Sequence, residues 1–167
     1  MLEKLYVKNF ILIDEIEVDF KNGLNVLSGE TGAGKSIVIG SLNFVLGGKA
    51  DKTIVKKGYD TAEVSALIYV ENNNTLNILK SMDIEIDDDN YILLKRTFNN
   101  KGKSYCKING SPATVSMVRN IASHLVDIHG QYPQLIHTFF RRTFHIAFIA
   151  NPCRAPSGEV YAEGKRC

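Results

Sequence analysis

The sequence predicts an α/β fold in which an antiparallel sheet lies beside a parallel core. Three observations carry this. Residues 24–27 read as a short buried strand, and residues 36–46 read as a helix with Ile37, Val38, Leu42, Val45 and Leu46 apolar. Between them, Gly29-Glu30-Thr31-Gly32-Ala33-Gly34-Lys35-Ser36 fits the phosphate-loop pattern G-x-x-x-x-G-K-[ST] at every fixed position. Ahead of the strand stand two further alternating segments, which are unusual for a simple doubly wound fold and point to a separate antiparallel sheet.

Strand, loop and helix in that order form the context the motif requires, that of a P-loop NTPase. A loop that wraps a phosphate turns its backbone N–H groups inward, often through φ > 0, and glycine permits this with no Cβ in the way. Lys35 is expected to place its ammonium on the β- and γ-phosphates, and Ser36 to give its hydroxyl to Mg²⁺. The helix starting near Gly34 points its positive end at the same phosphates. ATP and Mg²⁺ are therefore the expected cofactors, with Gly29, Glu30, Thr31, Gly32, Ala33, Gly34, Lys35 and Ser36 as the binding residues.

The remaining elements follow in chain order. Residues 2–10 alternate, with Leu5 and Val7 on one face and Tyr6 and Lys8 on the other. Residues 11–20 repeat this, with Ile16, Val18 and Phe20 opposite Glu15, Glu17 and Asp19. Lys21-Asn22-Gly23 is a turn, and Gly47-Gly48 stops the helix after the loop. Residues 56–59 form a basic turn. Residues 62–70 form a strand with Val64, Ala66, Ile68 and Val70 in phase. Residues 75–82 form a short helix capped by Asn74 or Thr75. The acidic stretch 85–90 fits no calcium-loop spacing and reads as a solvated turn. Residues 91–98 and 103–108 form a hairpin made basic by Lys95, Arg96, Lys101, Lys103 and Lys107. These lysines either block edge-to-edge pairing or contact DNA phosphates, with Lys95, Arg96, Lys101 and Lys103 as the candidate contacts. Residues 114–123 form a helix, and 124–128 a strand-like run into His129-Gly130-Gln131.

Bulk properties set the frame. The 167 residues suit one domain or one lobe of a larger one, and 44% hydrophobic with 23% charged residues is ordinary for a globular chain. A net charge of +2 does not by itself argue for nucleic acid. No apolar run reaches the roughly 18 residues of a membrane span. Glu3, Lys4 and Lys8 interrupt any signal-peptide layout. Cys106, Cys153 and Cys167 are odd in number and follow no metal-ligand spacing. A cytoplasmic, reduced protein without a membrane partner is expected.

The opening Leu5-Tyr6-Val7-Lys8-Asn9-Phe10 and the run from Gly23 through Ser28 into the phosphate loop resemble the N-terminal head segment of SMC-like, ABC-type ATPases. Leu46-Gly47-Gly48-Lys49-Ala50, the wording of the loop and Val126-Asp127-Ile128-His129-Gly130-Gln131 are most similar to the RecN family of bacterial DNA repair and recombination proteins. The resemblance covers about residues 1–134. It implies an N-terminal head lobe, with Gln131 as the glutamine that contacts Mg²⁺ and the attacking water. An amide suits that role, since it accepts from water and donates to phosphate without titrating. His129 reads either as structural or as catalytic. The resemblance also implies DNA as a partner and head-to-head dimerisation around ATP.

The sequence departs from that family in two respects. The Ser-Gly-Gly signature and the Walker B strand of a second head segment are missing, and so are sustained apolar heptads. Hydrolysis is thus expected only from a composite site completed by a missing C-terminal half or a second copy, with Lys35 and Gln131 as this chain's catalytic contribution. Residues 135–167 form an atypical tail, expected to be partly helical or disordered, and read either as a continuation of the head or as sequence not homologous to it. Phe140, Phe144 and Phe148 share one face of a helix over residues 138–150. Two functions stay open: an ATP-binding head segment of a RecN-like repair ATPase, or a non-enzymatic, nucleotide-gated module that binds DNA or a partner.

Overall fold

The computed structural model describes residues 1–27, 32–125, 127–129, 137–140 and 144–148. Strands β1 (Leu2–Phe10), β2 (Ile13–Asp19), β4 (Thr61–Tyr69), β5 (Tyr91–Asn99), β6 (Ser104–Ile108) and β7 (Ser111–Ala113) form a six-stranded sheet in the order β2-β1-β4-β5-β6-β7. Every neighbouring pair in it is antiparallel. Strands β3 (Gly23–Leu27), β8 (Asp127–His129), β9 (His137–Phe140) and β10 (Phe144–Phe148) form a second sheet in the order β3-β10-β9-β8. There β10 runs parallel to β3.

The alternation read from the sequence sets the larger sheet. Leu5 and Val7 of β1, Val64, Ala66 and Ile68 of β4, and Ile92 and Leu94 of β5 all point to one buried face. That face is covered by α1 (Gly32–Val45), which packs on β1, β4 and β5, and by α3 (Val115–Leu125), which packs on β6. Helix α2 (Asn73–Ser81) lies beside α3 and buries Leu76 and Leu79 in the same core. Phe44 of α1 sits between Phe10 and Phe98, with ring centroids 5.6 and 6.5 Å away.

Local chemistry fixes the ends. The Asn72 side chain caps α2 by accepting from the Asn74 N–H at 2.8 Å, so the cap is Asn72 and not Asn74 or Thr75. Asp51 caps a single 3-10 turn, Lys52–Ile54, by accepting from the Thr53 N–H at 2.8 Å. Thr114 caps α3 through Oγ1, which accepts from the Met117 N–H at 3.2 Å. Helix α1 starts at Gly32, ahead of the expected Gly34 to Ser36, because the last glycines of the motif already take helical geometry. It ends as expected at Gly47-Gly48. Gly47 has φ +93°, and the Gly47 and Gly48 N–H groups return to the carbonyls of Phe44 (3.1 Å) and Asn43 (2.9 Å).

The expected helix over residues 138–150 is corrected. His137–Phe140 and Phe144–Phe148 are strands, with Phe144 paired to Phe140 across β9 and β10. A spacing of four residues satisfies a strand's period of two as well as a helical face. Aromatic residues also favour the extended form.

Candidate nucleotide site and basic hairpin

The candidate site is built on the unit β3, residues 28–31, α1. Asn25 secures the entry to β3: its side chain accepts from the Lys21 N–H at 3.0 Å and donates to the Lys21 carbonyl at 2.7 Å. Gly23, at φ +91°, supplies the left-handed conformation at that turn. Four residues then separate the last residue of β3 from the first of α1. Gly29, Glu30 and Thr31 lie outside the described residues. Gly32, Ala33, Gly34, Lys35 and Ser36 open the helix, with Ser36 exposed. The first four N–H groups of a helix have no partner within it. No acidic side chain stands in the first turn of α1 to offset its positive end. This arrangement is suited to an anion.

Gln131 also lies outside the described residues, but the strand leading to it is placed. Strand β8 is antiparallel to β9, β9 is antiparallel to β10, and β10 is parallel to β3. It follows that β8 runs parallel to β3. His129, which ends β8, therefore lies at the same edge of the sheet as Leu27, where the chain leaves for the phosphate loop. Three strand spacings separate them, about 14 Å. In open α/β sheets ligands bind outside the carboxyl ends of parallel strands.

The basic hairpin divides on inspection. Arg96 is corrected as a DNA contact: it is 4% exposed, on the core face of β5. Its Nη1 donates to the carbonyls of Phe44 (2.7 Å) and Gly48 (2.8 Å), its Nε donates to Ser104 Oγ (2.8 Å), and its Cζ lies 4.4 Å from the Phe44 ring centroid. Burial pulls its guanidinium below the usual value. Lys95 points outward but is paired to Glu63 at 2.7 Å. It belongs to a ladder on the outer face in which Lys4 pairs with Glu17 and Asp19, and Lys8 with Glu15. The hydrogen bond that Lys4 donates to Glu17 raises the Lys4 pKa, and the one Asp14 accepts from Lys56 lowers the Asp14 carboxyl. Such a balanced face has little pull on a polyanion.

Lys101 and Lys103 remain exposed on the β5–β6 turn. Asn99 Oδ1 holds that turn by accepting from the N–H groups of Lys101 (3.1 Å) and Lys103 (2.8 Å). Sequence reasoning missed a third lysine. Lys52 lies against the turn, since a Cβ on Gly102 would meet its Cε at 3.6 Å. The pairing of Thr61 with Asn99, and the bond from the Asn100 N–H to the Asp60 carbonyl, bring this distant segment close. Among the described residues no group of three His, Cys, Asp or Glu is placed to hold a metal ion. No helix among them is long and apolar enough to cross a membrane.

Comparison with solved structures gives the fold class. The chain aligns with the structure titled "Structural biochemistry of ATP-driven dimerization and DNA stimulated activation of SMC ATPases" at TM-score 0.61 and 24% identity, over 74% of this chain and 78% of that one. It aligns with the Smc head domain of Pyrococcus yayanosii at TM-score 0.59 and 24% identity, over 74% of this chain and 25% of that one. With the recombination mediator RecF the TM-score is 0.55 at 17% identity, over 71% of this chain and 29% of that one. The fold is therefore that of the P-loop NTPase heads of SMC and RecF ATPases.

The chain belongs to the AAA domain family, whose model matches residues 4–148. Within it, the sequence matches the N-terminal part of the DNA repair protein RecN. It is 37% identical to RecN of Halalkalibacterium halodurans over 166 residues, which is 99% of this chain and 29% of that protein. It is 39% identical to RecN of Bacillus subtilis over 133 residues, 79% of this chain and 23% of that protein. The chain thus spans about a quarter of the length of these relatives.

Proposed function

We propose that this chain is the nucleotide-gripping N-terminal segment of a RecN-like DNA repair and recombination ATPase head, working in the cytoplasm. The observation that supports this most is the helix α1 that begins inside Gly29–Ser36, at the carboxyl end of β3, with no acidic residue in its first turn. Loop and helix N–H groups hold the phosphates, Lys35 neutralises the β- and γ-phosphates, and the Ser36 hydroxyl ligates Mg²⁺. Gln131, two residues beyond the end of β8 in sequence, orients water and contacts the metal on this reading. Magnesium supplies charge neutralisation between the phosphate oxygens when bound.

On this reading hydrolysis belongs to a composite site to which these residues contribute the phosphate grip and a C-terminal head half or a second copy contributes the rest. The test is steady-state turnover by the purified chain. The expected result is no ATP hydrolysis above a Lys35→Ala control. Turnover that this substitution abolishes would show that the chain needs no complement.

The exposed group Lys52, Lys101 and Lys103 favours a second property, contact with DNA phosphates at the β5–β6 turn. It replaces the hairpin set that included Lys95 and Arg96, whose side chains are engaged elsewhere.

A further inference from the structure

Helix α1 carries the phosphate loop at one end and two arginines at the other. Its 14 residues span about 20 Å. Along its length the packing is largely apolar, through Ile37, Leu42, Phe44 and Val45. The hydrophobic effect is non-directional, so interdigitation gives the helix its seat while polar contacts add a fixed direction. Directional contacts come at the C-terminal end. Arg96 of β5 grips the Phe44 and Gly48 carbonyls at 2.7 and 2.8 Å. Arg119 of α3 donates to the Gly47 carbonyl through Nη2 at 2.8 Å and Nε at 3.3 Å.

Arg96 is an odd residue to bury. Among the described residues no carboxylate pairs with it. Its neighbours in phase along β5, Ile92, Leu94 and Phe98, are all apolar and buried. A buried cation carries a desolvation cost, and well-packed apolar replacements of buried charges are often neutral or stabilising. The negative end of α1 and the Phe44 ring offset that cost. The guanidinium's planar fork spans two carbonyls at once, which an aliphatic side chain cannot do.

We propose that Arg96 is a positioning residue for the nucleotide site: with Arg119 as a second latch, it sets the axial register of α1 and so the placement of the phosphate-binding N–H groups at the far end. This rests on the reading of Gly29–Ser36 as the nucleotide grip.

The test pairs amide hydrogen exchange with binding of MgATPγS, using the full chain and its Arg96→Met, Arg96→Lys and Arg119→Met variants. Arg96→Met is expected to speed exchange at residues 36–39, the first amides of α1 that donate within the helix, while the amides of β1 and β4 keep wild-type protection. It is also expected to weaken MgATPγS binding at least fivefold. Arg96→Lys restores part of both effects, and Arg119→Met gives a smaller change in the same direction. A purely local role confines faster exchange to residues 44–48 and the β5–β6 hairpin and leaves binding at its wild-type value; that pattern overturns the proposal. If Arg96→Met does not fold, the Arg96→Lys and Arg119→Met variants decide by the same two readouts. Wild-type chain that fails to bind MgATPγS would reject the nucleotide reading, and exchange at residues 36–39 without nucleotide would still judge the latch.

Discussion

Gly47→Ala is the most direct probe of how α1 is tied down. Gly47 has φ +93°, a conformation in which an L-residue costs roughly 1–2 kcal/mol. A Cβ there would also lie 3.1 Å from Arg119 Cβ and 3.2 Å from its Cα and backbone nitrogen. Backbone in the middle of α3 must then give by a few tenths of an ångström. That shift pulls Arg119 away from the Gly47 carbonyl it now reaches at 2.8 Å. A hydrogen bond from a charged donor is worth about 1.5–3 kcal/mol, of which a part is lost. The two terms together give about 2–4 kcal/mol. For a domain of this size each kcal/mol moves Tm by roughly 2–4 °C, so the expected drop is on the order of 4–16 °C. Thermal unfolding followed by far-ultraviolet circular dichroism reads it. A variant melting within about 1 °C of wild type would refute the Schellman end and the close α1–α3 approach together.

Two further predictions concern the surface and the core. Replacing Lys52, Lys101 and Lys103 together by Gln should lower the slope of log K against log salt for DNA binding by about 2–3, whereas Lys95→Gln should leave it unchanged because Glu63 already neutralises Lys95; equal effects of both changes would reject the lysine turn as the contact. Cys106 is buried and its thiol is pushed up by burial, so less thiolate forms at any given pH. In a Cys153→Ser, Cys167→Ser background it should react with a disulfide reagent at pH 8 roughly a hundredfold more slowly than in urea. Equal rates would mean that the β5–β6 layer opens freely.

Much of the fold was legible because alternation and burial coincide. Leu5 and Val7, and Val64, Ala66 and Ile68, were placed on one face by their spacing and are fully buried there. Gly47-Gly48 was legible as a helix stop because few residues tolerate a positive φ after a helix. Arg96 was misjudged although a signal existed. It shares parity with Ile92, Leu94 and Phe98, which outweighs the basic character of its neighbours. The α2 cap was ambiguous for a different reason. Asn72, Asn73 and Asn74 are all good caps, and only geometry decides which one reaches an N–H two residues on. The strands at 137–148 were lost to the shared parity of Phe140, Phe144 and Phe148, and their pairing with β3 is a long-range fact that no local window contains. Lys52 joined the lysine turn through the same kind of distant pairing. The phosphate loop, by contrast, is a contiguous chemical pattern and needs no tertiary context to be read.

The central claim is that this loop closes on the triphosphate of a nucleotide. Equilibrium binding of MgATP to the purified chain, compared with its Lys35→Ala variant, tests it most directly. Lys35 makes charge-assisted contacts worth about 1.5–3 kcal/mol, so the variant should bind at least tenfold more weakly. Affinity that is the same with and without the Lys35 ammonium would contradict the account.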